Sequence, residues 1–256
     1  MASYLGDCRL CFEKNIEIRK SHIVPEFAYE KIYNQKHVFK PIAIDNKNIK
    51  WEQCGYRERL LCQKCETKLS LWEGSFSLVV KELSAKSYQK LTVTETAGIE
   101  LVGGFNYLHI KLAVLSIFWR MSISKLHMFS EYELGPYAEL FRNILHEGSF
   151  VSQNEYSIVI SRLNYRGSYY PGVLMPLSRG RYDGCITIQS LVLNGFLIEL
   201  HVNDGRYRKP EVEYFHVRES GKFILACRNL EEVYVNLGSL AKRFREPDVI
   251  SFFNKT

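Results

Sequence analysis

No apolar run in this 256-residue chain is long enough to cross a bilayer. The longest, Leu112 to Trp119, is bracketed by Lys111 and Arg120 and falls well short of the roughly 20 residues a spanning helix needs. No cleavable leader opens the chain either, because Asp7 and Arg9 interrupt any apolar stretch there. The expectation is a cytoplasmic protein without a membrane partner. Charge of one sign is not concentrated: residues 1–100 hold 16 basic and 13 acidic side chains and residues 101–256 hold 18 and 15, so each part carries +3. The net +6 is compatible with a nucleic-acid partner without pointing to one. Repeats and low-complexity tracts are absent. A disulfide framework is also disfavoured, since the seven cysteines are odd in number.

Four of those cysteines form two Cys-x-x-Cys pairs, Cys8/Cys11 and Cys62/Cys65. Four thiolates are what a closed structural zinc site takes, and two residues between paired cysteines let the backbone turn both sulfurs toward one point. Cys54, Cys185 and Cys227 are left over and are expected to pack as small apolar groups. With 46% apolar and 13% aromatic residues the chain can bury a substantial core, and its length suits one large domain or two modest ones.

Between the knuckles, Ile16 to Ile23 alternates apolar and polar residues as a half-buried strand does, and Pro25 ends it. Glu26 to Tyr33 has loose helical spacing, and residues 34–57 read as a long polar loop. After the second knuckle, Leu69, Trp72, Phe76, Val79 or Val80, and Leu83 recur at helical spacing. Glu66 stands at the start of that helix, where it can face back toward the strand carrying His22. Carboxylates favour a first helical turn in any case.

The order Cys-x-x-Cys, His22-Ile23-Val24-Pro25, Leu60-Leu61-Cys62-x-x-Cys65 resembles the zinc-containing branch of the HNH endonucleases, over roughly residues 8–70. The resemblance implies a ββα-metal catalytic unit acting on nucleic acid, DNA before RNA. It gives His22 the role of general base. It also implies a catalytic Mg²⁺ or Mn²⁺ held by Ser21, the residue before the histidine, and by Glu66 on the helix, with Glu58 as a further candidate. Phosphodiester hydrolysis needs an activated water and a cation against developing negative charge, and imidazole can take a proton near neutral pH. The other class of function the residues allow is a non-catalytic zinc protein with a degenerate HNH fold, binding nucleic acid, a protein partner or a second copy of itself.

Gly103-Gly104 marks a break, dividing the chain into an expected zinc-knuckle unit over 1–102 and an accessory unit over 103–256. Phe105 to Ser124 reads as a buried helix in which Arg120 either pairs structurally or reaches a phosphate. A further helix opens at Gly135-Pro136 and closes at Gly148. Asn194-Gly195 joins a hairpin, a second hairpin turns at Glu219 to Lys222, and a last helix is expected from about 231 to 244. Between Arg162 and Tyr182, and again near Arg206, arginines alternate with tyrosines. Guanidinium groups bind phosphate and rings stack on bases, so Arg162, Arg166, Arg179, Arg181, Arg206 and Arg208 are candidate nucleic-acid contacts. His37, His109, His127, His146, His201 and His216 show no ligand spacing. The fold class expected is α+β: a zinc-stabilised ββα-metal-like N-terminal unit, then helices and an antiparallel β-rich part.

Overall fold

The computed structural model describes residues 4–39, 52–96, 99–130, 132–165, 168–169, 172–176, 180–182, 186–202 and 213–229. Strand β1 (Leu5–Gly6) is followed by the first knuckle and by β2 (Ile16–His22), with a short 3-10 turn at Glu26–Ala28. A two-residue pair, β3 (Val38–Phe39) with β4 (Glu52–Gln53), stands where the sequence reads as loop. Strand β5 (Arg57–Cys62) runs directly into helix α1 (Gln63–Ala85). β2 pairs antiparallel with β1 on one side and β5 on the other, so the two knuckles meet at one end of a three-stranded sheet.

Strands β6 (Thr92–Thr96) and β7 (Ile99–Gly103) precede α2 (Tyr107–Ile123) and α3 (Tyr137–Glu147). The rest is β: β8 (Ser157–Tyr165), β9 (Ser168–Tyr169), β10 (Leu174–Pro176), β11 (Gly180–Tyr182), β12 (Ile186–Leu193), β13 (Phe196–Val202) and β14 (Lys222–Asn229). They join β6 and β7 in one nine-stranded sheet, ordered β10-β12-β13-β8-β14-β7-β6 with β11 on β12 and β9 on β8. The fold is mixed α+β, but the sheet is not purely antiparallel: β14 lies parallel to β8. A parallel neighbour needs a crossover, which periodicity along a single strand does not reveal. The expected final helix lies outside the described residues.

Local signals account for much of this. Asn194 (φ 49°) and Gly195 (φ 79°) both take positive φ, so the β12–β13 turn has the twist a two-residue hairpin needs. Gly148 ends α3 in the left-handed conformation and donates to Ile144 O at 2.8 Å. Asn106 caps α2 by accepting from His109 N at 3.0 Å. α2 is buried on nearly all sides, from Ile110 through Met121, with α1 and α3 packed against it. One hydrophobic cluster runs from Cys8 to Leu225, spanning the zinc-knuckle strands, the helices and the large sheet. The hairpin tip reaches the N-terminal strands, where Asn194 Nδ2 donates to Phe27 O at 3.2 Å.

Burial along α2 includes a lysine. Lys111 is 1% exposed, and its ammonium donates to the carbonyls of Ser152, Glu155 and Tyr156. Burial drags its pKa down to about 7, against the opposing pull of Glu155 and Glu219. From about 7 up to the ordinary 10.5 the folded chain therefore holds fewer protons than the unfolded one, and stability rises with pH. Urea unfolding at about pH 7 and about pH 9 is expected to show that rise. Lys111→Met should flatten the rise, and by orphaning three carbonyls should lower stability by about 1–3 kcal/mol near neutral pH.

Candidate functional site

Each knuckle is a tight turn whose backbone is fixed by its own hydrogen bonds. Phe12 N donates to Cys8 O at 2.9 Å, Cys8 N to Glu13 O at 2.9 Å, and Arg9 N to Leu60 O at 2.9 Å. The last bond stitches the first knuckle to β5, one residue pair away from Cys62. The second knuckle straddles the β5–α1 junction, with Cys62 at the N-cap position and Cys65 in the first turn. Helix α3 braces the first knuckle from outside: Arg142 donates to Leu10 O at 2.7 Å and lies over the Phe12 ring at 4.2 Å.

The result is convergence. The sulfurs of Cys8, Cys11, Cys62 and Cys65 all lie within 4.8 Å of one another, and Cys11 and Cys62 are 3.9 Å apart. Tetrahedral coordination at the usual zinc–sulfur distance places sulfurs about 3.8 Å apart, so the four fit a metal ion. Cys8, Cys62 and Cys65 are buried and Cys11 half-buried, as in a closed site without an open coordination position. The Cys65 thiol holds the Cys8 thiol well below its ordinary range, against burial, and the amide of Cys62 donates to the same sulfur at 3.4 Å. A thiolate is thus already favoured within the cluster. The other cysteines differ from expectation: Cys54 and Cys227 are exposed rather than packed inside, and Cys185 lies outside the described residues.

β2 carries the candidate site away from the knuckle. Its cross-strand partners on β5 set Ser21 opposite Glu58 and His22 opposite Arg57. Successive strand residues face opposite sides, so Ser21 turns inward to α1 while His22 turns away from it. Ser21 is fully buried and its hydroxyl donates to Glu66 Oε1. Glu58 does not join them. Its Oε2 accepts from Ser124 Oγ and Lys125 N, both at 2.9 Å, beyond the end of α2. Two of the three expected donors for a catalytic divalent ion therefore converge and the third is committed elsewhere. Among the described residues, only the cysteines form a cluster of three or more metal-ligating side chains. The donors present do not complete the set expected for Mg²⁺ or Mn²⁺.

Around His22 the structure assembles residues that sequence spacing did not single out. Nε2 lies 2.6 Å from Glu26 Oε2, 3.1 Å from Cys54 O and 2.7 Å from Arg57 Nε. A single ring nitrogen cannot both donate and accept, so Nε2 either accepts from Arg57 Nε–H or donates to Cys54 O, and the same guanidinium has Glu26 Oε2 within 3.7 Å. Burial, then the Arg57 charge, hold the His22 pKa below its ordinary 6.5, outweighing Glu26 and Cys54 O, so the imidazole is neutral at pH 7. Glu26 is itself anchored by Tyr33, whose hydroxyl donates to Oε1 at 2.9 Å. Glu26 stands four residues after His22, a spacing that becomes a contact only because Pro25 turns the chain into the 3-10 segment.

Behind His22, Arg120 of α2 is 1% exposed and fully engaged. It donates to His22 O at 2.7 Å, to the carboxylate of Glu73 on α1, and to Ser116 O at 3.3 Å. The pairing role expected for Arg120 is the one observed. The candidate nucleic-acid arginines divide differently. Arg162 is 6% exposed and bonded to Glu100 and Leu83 O, with Tyr169 and Phe196 against it, so its guanidinium is not on the surface. Arg181 on β11 is exposed. Arg166, Arg179, Arg206 and Arg208 lie outside the described residues. No helix of the described residues is long and apolar enough to cross a membrane.

No protein-family model, curated protein or solved structure matches the chain.

The thiolate cluster predicts one tightly bound metal ion per chain. Elemental analysis should find zinc at one equivalent. Cys11→Ser, which removes the least buried ligand, should lower that content and the thermal midpoint together. An unchanged midpoint after complete chelation would refute a structural role for the metal.

Proposed function

We propose that the chain is a zinc-scaffolded endonuclease of HNH type, hydrolysing phosphodiester bonds of nucleic acid with His22 as general base. The observation that carries this reading is the state of His22. It is a neutral imidazole at a strand end, with the Arg57 guanidinium and the Glu26 carboxylate against its Nε2. The antiparallel β2–β5 pair running into α1, with the cysteine cluster at its end, supports a ββα-metal scaffold around that residue. Zinc is the metal that four thiolates favour there, and its part is structural.

In the proposed reaction, the His22 imidazole accepts a proton from water as the water oxygen bonds to phosphorus. The ester P–O bond breaks, and the leaving oxygen takes a proton from solvent. Arg57 is exposed beside the imidazole and supplies positive charge toward the phosphate. A divalent ion would add charge neutralisation, but no step is drawn through one because Glu58 is turned to Ser124. That same turning favours the second reading, a zinc-stabilised module that binds nucleic acid or a protein partner without cutting.

Supercoiled plasmid separates the two. Incubated with Mg²⁺, with Mn²⁺ or with a chelator of both, the zinc-loaded protein should nick it in at least one condition. His22→Ala should slow nicking by roughly 10²-fold or more. Because protonated His22 is inactive and its pKa is lowered, the acid limb of the rate profile should fall below pH 6.5. Salt-dependent binding with no turnover in any condition would instead establish the binding module.

A further inference from the structure

The buried guanidinium of Arg120 has a geometry that a core ion pair alone does not need. Glu73 on α1 and Ser116 on α2 would hold it between the helices, yet Nη1 reaches past them to the backbone carbonyl of His22 at 2.7 Å. One turn further along, past the end of α2, Ser124 Oγ and Lys125 N hold Glu58, which stands directly across from Ser21. The C-terminal end of α2 therefore grips both strands of the site, β2 through His22 O and β5 through Glu58. The ring is held on its own side of the sheet, where Cys54 O, Glu26 Oε2 and Arg57 Nε surround Nε2. A backbone shift at residue 22 would swing the imidazole about those contacts.

We propose that Arg120, oriented by Glu73, is a positioning residue that fixes the His22 backbone and thereby the placement of its imidazole. The long segment after Gly104 then serves the site directly, through α2, and not only as a neighbouring unit. This inference rests on His22 being the base, but its structural half is independent of turnover.

The test uses the full-length zinc-loaded chain. Arg120→Met alone would strand the Glu73 carboxylate in the core and could unfold the protein, so the main variant is Arg120→Met with Glu73→Gln, which removes both charges together. Arg120→Lys keeps the charge and loses the fork. Zinc content and far-UV circular dichroism establish that each variant is folded, and the lysine variant carries the test should the double variant not be. Two readouts follow. In plasmid nicking, kcat should fall roughly 10- to 100-fold with KM little changed, since a small misplacement of a base costs rate and not binding. In nitrogen-15 NMR of the histidine rings, with the His22 signal assigned by its loss in His22→Gln, the wild type should show a single tautomer. The variants should show exchange between the two tautomers. Unchanged His22 ring signals in a folded variant would overturn the proposal whether or not the protein cuts. Altered ring signals in a protein that never cuts would uphold the positioning role while removing the nuclease reading.

Discussion

The constraint on which the rest depends is that two short turns, 54 positions apart in the chain, must bring four sulfurs to one point. Closing so long a loop carries an entropic cost that grows slowly with length, and burying thiolates without a counter-charge would be unfavourable. A metal ion held by the four sulfurs would meet both demands, coupling its binding free energy to folding. Once the turns meet, little else in the N-terminal region is free. β2 leaves the first knuckle and β5 enters the second, so they must lie side by side. α1 begins where β5 stops, because Cys65 has to curl back within one turn.

A second layer of constraint comes from buried cations. Arg120, Lys111 and Arg162 are all below one-tenth exposed. Each is bound by acceptors from distant segments: Glu73 and His22 O, three carbonyls of residues 152–156, and Glu100 with Leu83 O. Ions in such places contribute little net stability against well-packed apolar residues, while losing one partner is strongly destabilising. Their effect is on geometry: the groups that Arg120 and Lys111 bind are fixed relative to α2, and Arg162 ties β8 to β7 and α1. In this protein α2 is consequently the element that relates the knuckle strands to the loop before β8.

Signals confined to a few neighbouring residues were legible in the sequence. Cys-x-x-Cys spacing, the apolar face of α1, the run of α2, the glycine that closes α3 and the Asn194-Gly195 turn all state local requirements, and the structure meets them. Relations between distant segments were not legible. The parallel placement of β14 beside β8 depends on a crossover. Cys54 is exposed because its carbonyl, not its thiol, is turned to His22. Arg162 reads like its tyrosine-flanked neighbours, yet strand alternation sends it inward to Glu100. Glu26 had a readable i,i+4 relation to His22, but the strand pattern ending at Pro25 hid it, because residues four apart on a strand do not touch.

Ser21 shows how closely the local chemistry is balanced. It is fully buried between β5 and α1, with Glu66 accepting its hydroxyl and Glu58 across the strand pair. A carboxylate at that buried position would set a third acidic group beside Glu58 and Glu66, which a bound cation would offset. A hydroxyl removes the conflict, since it donates to Glu66 and carries no charge. Glu58 turns away to Ser124 for a related reason, finding two N–H and O–H donors at the end of α2 in place of repulsion from Glu66. The inner face of β2 is therefore satisfied by hydrogen bonds among its own residues. His22 lies on the outer face, a neutral imidazole beside the exposed Arg57 guanidinium. The proposed chemistry therefore falls to the imidazole rather than to the carboxylates behind it.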